Sequence, residues 1–281
     1  MAQIYGVRSN LTTADVFIPE KWSKDVTLAR EDALQLGKWC ERRNVDSADT
    51  LHIPNVANPA APGAISADGD VDDTTIGTDT DIDLLLDKKF GYILNIPTAV
   101  SLQSQYDYAE IQKKKYGFGL GAKVEDDLID LDATLSFQLG DLTSDISPTR
   151  FLSGVVRMDK SNVPRPERYS LWTPEQMGAM LDTDRFVLAS SVGWSRENSP
   201  IITGEFGQAY GVLLGSSNRL NANGDGFTNL MFHKEAMVLG ILQDIKTEEL
   251  AKTIFSRRIG LSTFYGVIVK RADHGIRMLS R

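Results

Sequence analysis

Cysteine occurs once in the 281 residues, at position 40, and histidine only three times, at 52, 233 and 274. One thiol excludes an internal disulfide framework and leaves the redox compartment open. With three scattered histidines, it forms no Cys/His run of the kind that holds a structural zinc. Positive charge is also short: 30 Lys and Arg stand against 38 Asp and Glu, a formal net charge of −8. That balance argues against a chain that coats nucleic acid. No apolar run, such as residues 236–242, approaches the roughly 20 residues of a membrane-spanning helix. The start, MAQIYGVRSN, lacks the basic-then-apolar pattern of an export leader. What remains is an ordinary globular composition, 42% hydrophobic and 24% charged, long enough for one large or two modest domains.

The first sixteen residues are polar with isolated apolar positions. Trp22, Val26, Ala29, Ala33, Leu36 and Cys40 then recur at helical spacing behind Pro19 and Glu20, which predicts an arm leading into a helix that stops near Asn44. Residues 50–55 read as a short strand, with Leu51 and Ile53 on one face and Pro54 confining it to an edge. Residues 58–83 hold Asp68, Asp70, Asp72, Asp73, Asp79, Asp81 and Asp83 without one Lys or Arg, and cannot build a core alone. A strand returns at 90–96 and ends at Pro97, so the two strands predict an extended hairpin around a long polar tip.

From Ser104, a plausible cap, a stripe of Ala109, Tyr116, Leu120, Val124, Leu128, Leu131 and Leu135 predicts a long helix. Gly117, Gly119 and Gly121 interrupt it and predict a kink or a close backbone contact. Ser147 with Pro148, and the capping box from Thr173 to Gln176, start two shorter helices, with a strand at 168–172 between them. The last third is strand-like, with Ile259, Leu261, Thr263, Tyr265, Val267 and Val269 on one face. The class is mixed α+β.

Chemistry is sparse. None of His52, His233 and His274 sits in a triad or zincin setting, and Ser153 lacks a nucleophile elbow. Residues 68–79 begin like a calcium loop but carry Asp73 where glycine is needed and Asp79 in place of Glu; residues 221–232 miss at Phe232. The glycines of GEFGQAYGVLLGSSN lack a phosphate-loop lysine and a dinucleotide spacing. Lys113 to Lys115 reads as a solvated helix face, and Cys40 as an inert buried thiol. No catalytic residue, metal ligand or cofactor site is expected.

The order of parts carries more than any motif: polar arm, helix, protruding hairpin, glycine-interrupted long helix, α/β insertion, closing strands. With the stretches FIPEKWSKDV, DTLHIPNV, NVPRPERYSLWTPEQMGAMLDTDRF, GQAYGVLLGSSN, FHKEAMVLGI and YGVIVKRADHGIRML, and the helix over residues 107–127, it resembles the Hong Kong 97-type major capsid protein of tailed bacteriophages. The resemblance implies an N-terminal arm over 1–30, peripheral-domain parts over 31–48, 98–142 and 241–281, and an extended β-hairpin loop over 49–97. The helix from Ser104 to about Leu139 would be the spine of the peripheral domain, and residues 143–240 an axial α/β domain around the capsomer axes. Some members cross-link through a Lys to Asn isopeptide bond; no matching trio of Lys, Asn and acid aligns here, so that chemistry is not carried over.

The function implied is structural rather than enzymatic: hexamers and pentamers building the icosahedral head of a double-stranded DNA phage, in the virion after assembly in the host bacterial cytoplasm. The expected partners are further copies of the chain, a separate scaffolding protein, the portal, a cement protein in some particles, and packaged DNA bound without sequence specificity. No membrane partner is expected. Intersubunit contact is expected from Phe17 and Trp22 in the arm and from Asp68, Asp73, Asp79 and Asp81 on the hairpin. The same fold also serves encapsulin-type nanocompartment shells, the alternative reading. An α/β enzyme or small-ligand module, and a tail or decoration protein, are remoter ones.

Overall fold

The computed structural model describes residues 34–55, 80–99, 107–182, 207–224, 226–252 and 255–281, which lie in one unit spanning Asp32–Arg281. Phe17, Trp22, Asp68, Asp73 and Asp79, together with Ser104 and most of the acidic stretch, lie outside these residues.

Chain direction changes early. Helix α1 is the single turn Leu36–Trp39, and the next residues leave it for strand β1, Glu41–Asn44. The helix expected to run to Asn44 is therefore cut short. The physical reason is long-range: β1 pairs in parallel with residues 238–241, and Glu41 holds Lys270 at 2.9 Å. Ladder bonds and an ion pair outweigh a weak local helix preference.

Strand β2, Thr50–Asn55, pairs antiparallel with β3, Thr80–Leu85, as a two-stranded ribbon. Strand β4, Lys88–Pro97, expected as the partner of residues 50–55, instead joins a different sheet. Alternation made 90–96 a strand but could not name its neighbour. Helix α2, Tyr108–Ile129, starts on Asp107, whose carboxylate accepts the Glu110 amide at 3.2 Å. It passes without interruption through Gly117, Gly119 and Gly121, and ends in a 3-10 turn, Asp130–Thr134, short of residue 139. The predicted contact is there: a Cβ at Gly121 would stand 2.8 Å from Leu34 Cδ1, so the small residue admits a neighbour.

After β5, Phe137–Gly140, come α3, Pro148–Lys160, then β6, Arg168–Trp172, and α4, Pro174–Leu181. Both helix starts are as the sequence predicts, with Ser147 and Thr173 accepting the Arg150 and Gln176 amides. Gln176 does not close the expected capping box. Its amide group bonds both backbone groups of Ile146, at 2.8 and 3.0 Å, tying α4 to the segment before α3. Short strands β7, Gln208–Ala209, β8, Val212–Ser216, and β9, Ala222–Asn223, lead into β10, Gly226–His233. The chain closes with β11, Met237–Lys252, β12, Ser256–Val269, and β13, Gly275–Ser280.

Among the described residues the strands form a four-stranded sheet in the order β1-β11-β12-β4 and a seven-stranded one in the order β5-β13-β10-β6-β8-β7, with β9 on β10. Strand β10 is buried on both faces. Met231 points to a core with Phe151, Met158, Trp172 and Met278, while Leu230 and Phe232 point to another with Leu36, Leu128, Leu239 and Tyr265. That alternation follows from the two-residue period of a strand. The second core draws residues from both sheets and from α2, so the same side chains hold the sheets together. Helix α2 also packs Ala109 and Leu120 against Leu94, Ile96, Ile259 and Leu261 of the four-stranded sheet.

Candidate assembly interface

The β2–β3 ribbon has too little surface to stand alone, since two strands without a packed face are marginal in water. Its root is seated by Ile53, Leu84 and Leu86, which pack on Val238 of β11. The seat is made by two glycines facing each other across the β11–β12 ladder, Gly240 and Gly266. A Cβ at Gly266 would overlap the Leu85 carbonyl oxygen, and one at Gly240 would press 2.5 Å from Leu84 Cδ2. The bare backbone is what lets the ribbon lie on the sheet.

Beyond its root the ribbon faces solvent. Asp81, opposite Pro54, is exposed, and Asp83 holds the His52 Nδ1 at 2.6 Å on the surface. Leu85 is 56% exposed, Ile93 of β4 62% and Phe255 at the β11–β12 turn 81%. Strands that bare large apolar side chains are the kind of surface another chain can cover. Of the expected contact residues, Asp81 is thus placed on an exposed strand.

Behind this surface lies a buried charged group that sequence patterns did not reveal. Asp127 of α2, 4% exposed, accepts the Tyr265 hydroxyl at 2.6 Å and holds Lys123 at 2.8 Å and Lys88 at 3.1 Å. Burial pushes its carboxyl pKa up, but the hydrogen bonds of Lys123, Tyr265 and Lys88 outweigh it and leave it below the usual carboxylate value. The Tyr265 phenol is pushed up, first by burial and then by its bond to Asp127. One position away, Asp126 takes Arg219 in a two-pronged pair at 2.8 and 2.7 Å. Arg168, 3% exposed, bonds Asp159 at 2.7 Å together with the Pro164 and Val163 carbonyls. Lys123 lies one helical turn from Asp127, but the Tyr265, Lys88 and Arg219 pairs join residues far apart in the chain, so no local spacing announces them.

His233 and His274 also come together, with ring centroids 5.8 Å apart. Burial lowers the pKa of both. Cys40 is buried as expected, and burial pushes its thiol far up.

No protein-family model and no curated protein matches the sequence. Solved structures do. A chain of the structure titled Mycobacterium phage Che8 superposes with a TM-score of 0.77 at 20% identity, over 93% of this chain and 97% of that one. The capsid structure of cyanophage P-SCSP1u gives 0.80 at 18%, over 96% and 94%. The mature capsid of bacteriophage PhiM1 gives 0.72 at 14%, over 93% and 91%. The fold is that of a Hong Kong 97-type phage capsid subunit. At these identities it is the fold that is shared, and the matches run over nearly the whole of both chains.

Proposed function

We propose that the chain is the major capsid protein of a phage, a structural subunit that assembles with copies of itself into hexamers, pentamers and a closed icosahedral head. The observation that carries this is the capsid-subunit fold matched over nine-tenths or more of both chains. The projecting ribbon and bared apolar strands support it, because they are surfaces a further copy would cover. In this reading the four-stranded sheet with α2 belongs to the peripheral domain. The seven-stranded sheet belongs to the axial domain, so the last strand, β13, returns to the axial sheet while β11 and β12 stay peripheral. Phe17 and Trp22 anchor the arm, and Asp68, Asp73, Asp79 and Asp81 meet basic side chains of a neighbour. The chain works through these interfaces and carries out no reaction. Scaffolding protein, portal and, in some particles, a cement protein complete the particle in the host cytoplasm, and the DNA inside is held without sequence readout.

The named neighbours whose titles give a source particle are phage capsids, which favours this reading over an encapsulin-type compartment. The test is negative-stain electron microscopy of the full chain beside light-scattering mass, with a variant lacking residues 60–78. Closed shells or free capsomers from the full chain, and soluble protein without shells from the deletion, are expected. A stable monomer under every condition, or normal shells from the deletion, would overturn the proposal. Shells filled with one protein and no DNA in infected or lysogenic cells would move it to the nanocompartment reading.

A further inference from the structure

The chain crosses between its two sheets twice near its end, from β10 to β11 and from β12 to β13. Each crossing carries one 3-10 turn, Lys234–Ala236 and Ala272–His274. The crossings lie side by side, with the Lys270 and Arg271 amides both donating to the Ala236 carbonyl, at 2.8 and 3.2 Å. This brings His233, at the end of β10, to His274, ring edge to ring face at 83°. Each is 4% exposed. The Glu235 carboxylate completes the group on its solvent side, and one ligating atom from each of the three lies within 4.8 Å of the other two.

One further feature points to a ligand. The Nδ1 of His274 is buried and has no hydrogen-bond partner, whereas buried polar atoms ordinarily find one. His233 Nδ1 accepts the Glu235 amide at 3.3 Å, a bond that a cation on that nitrogen would displace.

We propose that His233, His274 and Glu235 form a binding site for a divalent transition cation of the zinc class. Two imidazoles and a carboxylate suit zinc, whereas magnesium and calcium take oxygen ligands. Around a tetrahedral ion with bonds of about 2.0–2.2 Å, ligand atoms stand about 3.3–3.6 Å apart. The group must therefore draw in from its present spread of up to 4.8 Å. Glu235, facing solvent, is the ligand with room to move. Water fills the fourth position. The ion ties one crossing to the other, and so the seven-stranded sheet to the four-stranded one. The site goes beyond the capsid reading and does not depend on it.

The test is titration of the purified full chain with Co2+, followed by its visible d–d bands, which are strong only at low coordination number. Bands saturating at one Co2+ per chain and displaced by Zn2+ are expected. Glu235→Gln, a change on the surface, weakens binding at least about tenfold. His274→Gln removes the bands. Zn2+ raises the melting temperature of the unsubstituted chain, and Glu235→Gln loses most of that rise. Absence of a saturable band, or unchanged affinity in Glu235→Gln, would overturn the proposal. If His274→Gln does not fold, Glu235→Gln decides alone.

Discussion

Asp127 is one carboxylate that serves three partners on two elements and a strand end, and its removal has a calculable direction. Breaking a fully buried ion pair costs about 3–5 kcal/mol and an exposed one up to about 1. The side chains of Lys88 and Lys123 are 34% and 43% exposed and that of Asp127 5%, which places Asp127→Ala between the two, at about 2 kcal/mol. The urea midpoint of unfolding measures it. Acid acts in the same direction. A carboxyl whose folded pKa is depressed adds stability that is complete above its unfolded value, near 3.8, and is lost as the pH falls through the folded value. Stability should therefore fall below about pH 4, and Asp127→Asn should flatten that fall. Cys40 offers a simpler check. With its thiol buried and its pKa raised, it should resist a thiol reagent at neutral pH in the native chain and react on denaturation; rapid native labelling would contradict the burial.

At the scale of elements, the seat of the β2–β3 ribbon depends on what two residues lack. Gly266→Ala places a methyl group against the Leu85 carbonyl, and backbone cannot swing aside as a flexible side chain can. The expected outcome is a folded body with a loosened ribbon. Hydrogen exchange should speed up in residues 50–55 and 80–85 and stay unchanged in β10 and β13. The helix starts are independent of this. Thr173→Ala removes the cap of α4 and should lower stability by about 1 kcal/mol, read from thermal unfolding. Of the two, the cap was legible in the sequence, because Ser147 and Thr173 act within three residues, although the box expected at Gln176 does not close. The glycine seat was not, because residues 240 and 266 meet only across a ladder, and the ribbon that they receive comes from residues 84–86.

For the whole molecule, the excess of acid sets how the subunit meets its surroundings. A chain of net charge −8 should not retard double-stranded DNA in a gel at physiological salt, and a salt-sensitive shift would contradict that. On the proposed capsid reading, repulsion between acidic copies also has a consequence for assembly. If apolar strand surface drives subunits together while like charge holds them apart, added salt should speed shell formation, as static light scattering at rising ionic strength would reveal.

The sequence by itself determined the α+β class, the helix starts at Ser147 and Thr173, the alternating face of residues 259–265, the edge character of residues 50–55 and the buried thiol. Each of these is set by neighbours within a turn or by a two-residue period. The order of its parts also carried the resemblance to a capsid subunit that the superposed structures bear out as a fold. Only the tertiary structure decided that residues 41–44 form a strand, that residues 50–55 pair with 80–85 and not with 90–96, and that His233 meets His274. Strand pairing and buried charge depend on which distant segment arrives opposite, and a period along the chain carries no record of that partner.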